Sequence, residues 1–269
     1  MHAIHVNAND IAVAGATPIL FLCTVMVPPG TRESELRGIM MEVDREARKL
    51  GIAVVGGHTE ATPDLKRPII AGFMVGESKN GTYLTAEGGR EADRLLMTKT
   101  AGIEGTAVLA ADHKGLLKRK GVDERTISRA LRFYNQISVV HEASIASRVT
   151  GVRAMHDPTE GGILNGLWEL AEASGRGVMV EADKIPIASE TQTISNALEL
   201  DPLKLLGSGS LVIAVAPPRK AMLLEKLNHN GIRATEIGRL MRKDKGRLVN
   251  RDGRTRALTA VYRDELHKI

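Results

Sequence analysis

Four stretches of this chain place acidic, hydroxyl or imidazole side chains beside glycine at spacings that suit phosphate and metal chemistry. The first is Asn9-Asp10, followed by Gly15-Ala16-Thr17-Pro18. An aspartate one turn before a small-residue helix end can ligate Mg2+ or make a salt bridge on the helix face. The second is Gly56-Gly57-His58-Thr59-Glu60, directly after a run expected to form a buried strand. Two glycines there let the backbone approach a ligand, and polar groups follow at once. The third, His156-Asp157-Pro158-Thr159-Glu160-Gly161-Gly162, joins an expected strand to an expected helix. Free N–H groups at that helix start would make an anion site. Asp157 would repel a bare phosphate but suits one carried with Mg2+. The plainer reading makes Thr159 an N-cap and the two glycines tight packing. The fourth, Gly207-Ser208-Gly209-Ser210, precedes an apolar strand and can hold an anion or simply turn the chain.

Several better-known motifs fail. Gly51 to Gly56 has the first spacing of a phosphate-binding loop, but Gly57 stands where its lysine belongs. Gly207 and Gly209 begin a dinucleotide fingerprint, yet Val212 takes the third glycine's place and a strand follows where a helix should. His141-Glu142 starts a zinc-protease pattern, with Ile145 at the second histidine. What remains is Gly-rich polar turns with acids beside them and no phosphate-binding loop. That combination points to a Mg2+–nucleotide site of a less common kind.

The elements that must hold these turns alternate irregularly. A helix is expected from Thr31 to Gly51, capped by Thr31, with Leu36, Ile39, Met40, Val43, Ala47 and Leu50 on one face. Strands are expected at Pro18 to Val27, Ile52 to Val55 and Pro68 to Val75. The polar stretch Asn80 to Asp93 suggests a boundary near residue 90, giving domains 1–90 and 91–269. Beyond it, strands are expected at Arg94 to Thr98, Val152 to Met155, Val178 to Glu181, Leu211 to Ala216, Arg233 to Arg239 and Gly246 to Asn250. Helices are expected at Gly105 to Ala111, Asp123 to Arg132, Ser138 to Val149, Glu160 to Ala173, Glu190 to Leu198 and after Pro217-Pro218. The fold class is therefore α+β, with mixed sheets covered by helices.

Composition bounds the rest. The chain has 269 residues, 43% of them hydrophobic and 26% charged, which excludes disordered and collagen-like classes. Three Phe, three Tyr and one Trp leave the core to aliphatic residues and argue against a single-strand nucleic-acid partner that stacks bases. Net charge is +5, and the eight basic and two acidic residues from Arg239 to Arg256 account for it. Such a run is ordinarily a solvated face, and a nucleic-acid role for it is the weakest reading. The one cysteine, Cys23, lies in an apolar run and reads as a buried hydrophobe. Ile19 to Val27 is too short to cross a membrane, and no signal-peptide pattern opens the chain, so a cytoplasmic protein is expected.

The ordered set Asn9-Asp10 with Gly15-Ala16-x-Pro18, Gly56-Gly57-His58-Thr59-Glu60, His156 to Gly162 and Gly207-Ser208-Gly209 resembles the AIR synthase-like superfamily. Asp157-Pro158-Thr159-x-Gly161-Gly162 looks most like its HypE and archaeal AIR synthase-related branch. The resemblance implies a two-domain α+β fold and a homodimer whose N-terminal domains join sheets into a barrel. It implies ATP with Mg2+ beside that barrel, used to activate an oxygen or nitrogen of an unidentified small substrate. By position it makes Asp10 a metal ligand, and Asp157 a metal ligand or catalytic acid. It places His58 where kinase members carry Asp. Asn9, Gly56, Gly57, Thr59, Thr159, Gly161, Gly162, Ser208 and Gly209 become nucleotide contacts.

Two departures accompany the resemblance. Family members carry a Gly-rich segment with paired aspartates before the Asn-Asp helix, whereas this chain begins almost at that helix. HypE acts through a C-terminal cysteine, whereas this chain ends His267-Lys268-Ile269. The expectation is a protein that does not dehydrate its own tail. The alternative is a non-catalytic dimeric scaffold in hydrogenase or metalloenzyme maturation.

Overall fold

The computed structural model describes residues 2–269, which divide into two compact units, one ending at Tyr83 and the other starting at Leu84. In the first unit, α1 (His2–Val13) buries Ile4, Ala8 and Ala12, an i, i+4, i+8 stripe. It is followed by β1 (Thr17–Val27), α2 (Glu33–Lys49), β2 (Ala53–Ala61) and β3 (Ile69–Glu77). The strands form one sheet in the order β2-β1-β3. β1 and β2 run parallel, as a crossover through α2 requires, and β3 pairs antiparallel with β1.

Two expectations change here. Thr31 does not cap α2, because its hydroxyl donates to the carbonyl of Pro28 at 2.7 Å. Arg32 is the N-cap, and its backbone N–H donates to Glu35 Oε2 at 3.2 Å. Nor does β2 stop at Val55. β1 is long enough to pair it as far as Val27 opposite Ala61, so Gly56 to Glu60 lie inside the strand. That strand is exposed along its whole length, not buried.

The second unit contains β4 (Arg94–Thr98), α3 (Ile103–Asp112), α4 (Lys114–Arg119), α5 (Glu124–Leu131), α6 (Val140–Ala146), β5 (Val152–His156), α7 (Gly162–Ala173), β6 (Gly177–Glu181), α8 (Ser189–Leu198), β7 (Val212–Val215), α9 (Lys220–His229), β8 (Ala234–Met241), β9 (Arg247–Arg251) and β10 (Arg254–Ala257). The short elements α4 and β10 are absent from the sequence expectations. The sheet order is β10-β9-β6-β8-β4-β7-β5, antiparallel throughout except for β6 with β9. Both units are thus mixed α+β layers, as the sequence pattern implied.

Ile163, Leu164, Leu167 and Leu170 of α7 pack with Leu95, Met97, Val178, Val180, Val212, Ala214 and Ile237 of the sheet. A second cluster joins Leu109 of α3, Ile127 and Ala130 of α5, and Ile194 and Leu198 of α8. The cores are overwhelmingly aliphatic, as the scarcity of aromatics dictates, and Cys23 is buried in β1. Among the described residues no helix is long and apolar enough to cross a membrane.

Candidate functional site

The second unit brings two of the Gly-rich motifs together. β5 delivers His156 and then Asp157, which is buried. Pro158 and Thr159 turn the chain, and Gly161 and Gly162 follow with φ of 75° and 63°. These left-handed values favour glycine, and they delay α7, so Gly161 is its N-cap and Thr159 is not. Gly162 is also needed for space, since a Cβ there would lie 2.7 Å from the carbonyl oxygens of Leu203 and Leu205. Against this turn sits the loop Gly207-Ser208-Gly209-Ser210. The Gly207 N–H donates to the Thr159 carbonyl at 3.0 Å, and the Thr159 carbonyl also accepts from Gly162 at 3.1 Å. Motifs some fifty residues apart in the chain therefore form one surface.

The polar groups of this surface are held firmly. His156 Nε2 is 2.9 Å from Glu169 Oε2. Asn165 donates to Glu169 Oε1 and to the Glu160 carbonyl, both at 3.0 Å, and accepts from the Val261 N–H at 3.0 Å. Ser208 is fully buried, and its hydroxyl has no hydrogen-bond partner among the described residues. An unsatisfied buried hydroxyl costs about 1–3 kcal/mol, so it marks a place where a polar ligand atom or water would be welcome.

The helix start is not the open anion site expected from sequence. The Gly161 N–H donates to Asp264 Oδ2 at 2.7 Å, and the Gly162 N–H is taken by Thr159. Asp264 Oδ1 also accepts from Leu206 at 3.3 Å and Leu266 at 2.9 Å. One carboxylate from the last residues of the chain thus caps α7 and ties it to the strand-7 approach. Burial pushes the Asp264 carboxyl up, against the opposing pull of the three N–H groups. Sequence reading missed Asp264. Its local signal was that of a capping residue ahead of Leu266, which says nothing of a helix a hundred residues earlier.

In the first unit the expected residues sit on separate elements. Asn9 is fully buried on α1, and Asp10 beside it is exposed. α1 lies against β3 and β1, whereas Gly56 to Glu60 lie on β2, at the opposite edge of the sheet from β3. The side chains of His58 and Thr59 are exposed. His58 Nε2 is 3.1 Å from Glu60 Oε2, and Glu60 Oε1 accepts from Thr62 at 2.9 Å. These bonds, His58 first and Thr62 second, hold the Glu60 carboxyl below the usual range. The two glycines differ. A Cβ on Gly56 would meet nothing within 4 Å, but one on Gly57 would lie 1.9 Å from the Cys23 carbonyl oxygen. Gly57 serves the approach of β2 to β1, and only Gly56 is open to a ligand.

No group of three His, Cys, Asp or Glu side chains that could hold a metal occurs among the described residues. A Mg2+ ion commonly needs only one or two protein carboxylates, with phosphate oxygens and water completing its shell. Asp157 and Asp10 are single carboxylates, and among the described residues neither belongs to a three-ligand cage for a resident ion.

Residues 1–78 match the model of the N-terminal domain of AIR synthase related proteins, and residues 90–250 match that of the C-terminal domain. A putative hydrogenase expression/formation protein of Methanocaldococcus jannaschii is 30% identical over 251 residues, covering 92% of this chain and 71% of the relative. The crystal structure of Escherichia coli HypE, a hydrogenase maturation protein, superposes with a TM-score of 0.83 at 26% identity, covering 97% of this chain and 79% of that one. A HypE solved in complex with ATP gives a TM-score of 0.83 at 22% identity, covering 98% and 79%, a likeness of fold alone. The chain belongs to the AIR synthase related family and carries both of its domains.

Proposed function

We propose that this protein is a HypE-like member of the family that binds ATP with Mg2+ and activates a small substrate by phosphoryl transfer. The observation that carries the reading is the packing of the Asp157 turn against the Gly207–Ser210 loop, with the Ser208 hydroxyl buried and unsatisfied between well-tied neighbours. The ATP complex of a HypE with the same fold supports the choice of nucleotide. Phosphoryl transfer needs positioning and charge neutralisation more than covalent catalysis, which suits a site built of turns.

In this reading Asp157 would be a ligand of the metal, which would neutralise phosphate charge when bound, and Asp10 is the carboxylate the first unit offers for that role. Thr159 and Ser208 offer hydroxyls to the nucleotide, and Gly209 shapes the loop that carries Ser208. Gly161 and Gly162 position the turn without donating N–H groups. In the first unit Gly56 and Thr59 are the exposed candidates for nucleotide contact on β2, whose approach to β1 Gly57 sets, and Asn9 is buried on α1. The His58–Glu60 pair can accept and pass a proton. The group activated is not Cys23, whose thiol is buried and pushed up by that burial.

The protein acts in the cytoplasm as a homodimer through the first-unit sheet. Val55 and Phe73 on that sheet are 54% and 65% exposed, a large apolar area for water to meet. The Asp264 carboxylate at the start of α7 favours a second reading, in which the site is filled and the dimer is a non-catalytic partner in hydrogenase or metalloenzyme maturation.

Titration calorimetry with a non-hydrolysable ATP analogue, with and without Mg2+, tests the first reading. Micromolar, Mg2+-dependent binding is expected, at least tenfold weaker in Asp157→Asn and in Asp10→Asn. Absence of binding, or equal affinity in both variants, overturns it. Binding of ATP without turnover on any small substrate selects the second reading.

A further inference from the structure

We infer that the second unit has another ligand site, a cleft of about 760 Å3 beside the β9–β10 hairpin that takes a small phosphate-bearing molecule. It does not depend on the nucleotide reading above. The volume is that of a small-ligand pocket. Its walls are β10, the segment that follows it to Val261, and the turn from Asp201 to Lys204.

The charges in it are unequally satisfied. Arg251 Nη1 pairs with Asp201 Oδ2 at 2.8 Å, and the other oxygen of Asp201 accepts from the Leu203 N–H at 3.2 Å. That pair is internally neutral. Lys204, Arg254 and Arg256 also line the cleft and make no side-chain hydrogen bond or ion pair among the described residues. Asp252 is the one carboxylate left to oppose these three cations.

Arg254 and Arg256 stand two apart on β10, so both guanidinium groups project from the same face of the strand. A guanidinium fork matches two phosphate oxygens, and two forks beside an ammonium match a di- or triphosphate group better than a lone carboxylate. Leu164, Val249 and Leu258 supply apolar wall for the rest of the molecule. No aromatic side chain lines the cleft, so nothing there stacks a base.

Inorganic pyrophosphate, titrated calorimetrically into the full chain at physiological ionic strength without Mg2+, is the probe. One equivalent is expected to bind, and Asp157→Asn is expected to bind it as the wild type does. Arg254→Ala/Arg256→Ala should weaken it about tenfold or more. Arg254→Lys/Arg256→Lys, which keeps charge and fold, should still weaken it about threefold through loss of the forks. Lys243→Ala/Lys245→Ala removes two cations of the same basic run outside this cleft and should change nothing. No pyrophosphate binding, or equal loss in the Lys243/Lys245 variant, overturns the site. Tighter binding of an RNA oligonucleotide than of pyrophosphate, with a steep salt dependence, overturns the choice of ligand.

Discussion

Adjacent glycines in β2 should respond very differently to the same substitution. Gly57 faces Cys23 across the β1–β2 pairing and holds φ of 151°, a region that side chains rarely enter. In Gly57→Ala the new methyl would lie 1.9 Å from the Cys23 carbonyl oxygen and 2.7 Å from its carbon. Relief requires β2 to retreat by about 1 Å, a large fraction of the slack in strands spaced ~4.8 Å apart. Overpacking costs about 1–3 kcal/mol and the backbone strain about as much again. A loss near 4 kcal/mol corresponds to a fall of roughly 15 °C or more in the melting of a unit this size. Gly56→Ala meets nothing within 4 Å and should stay within about 0.5 kcal/mol of the wild type. Thermal melts of both variants, with hydrogen exchange at β1 amides to isolate the first unit, decide the matter. If Gly57→Ala melts with the wild type, the strand role assigned to this glycine is refuted.

Two further outcomes follow from buried carboxylates. Glu46 is almost wholly buried; burial raises its pKa, but bonds from Lys49, Arg45 and His5 outweigh that and bring it to about 2 from 4.5. The shift bounds its contribution near 3 kcal/mol, and the exposure of Arg45 and Lys49 to water reduces this to about 2. The folded value is depressed, so the stability is present above pH 4.5 and fades as pH falls toward 2. Glu46→Gln should lower the urea midpoint at pH 7, and the gap to wild type should shrink by about 40% at pH 3.5. A gap that does not change with pH removes the ionic account. Asp264→Ala leaves the N–H groups of Gly161, Leu206 and Leu266 without their acceptor, a loss of about 2–4 kcal/mol. Hydrogen exchange should quicken at Gly161 and Leu206, and unchanged protection there would show that the carboxylate does not hold the start of α7.

Much of the fold was legible because its signals are local. The 3.6-residue stripe of α2, the five-residue run of β4 and the apolar face of α7 are set by side-chain order, since burial in one layer demands that periodicity. The aliphatic core and the buried Cys23 followed from composition. The order of the Gly-rich motifs was enough to place the chain in its family.

What the sequence could not carry was the use each residue finds across the fold. Gly56 and Gly57 are identical as letters, but only pairing with β1 makes one of them indispensable to packing. The N–H groups at the start of α7 looked free because an open helix end is free by default. That of Gly161 is taken because the fold brings Asp264 to it from 103 positions along the chain. Arg254 and Arg256 read as a solvated charge run until β10 forms and sets both on the wall of one cleft. Periodicity and composition act along the chain, whereas acceptors, clashes and clefts depend on distance in space. Only the tertiary structure supplies that distance.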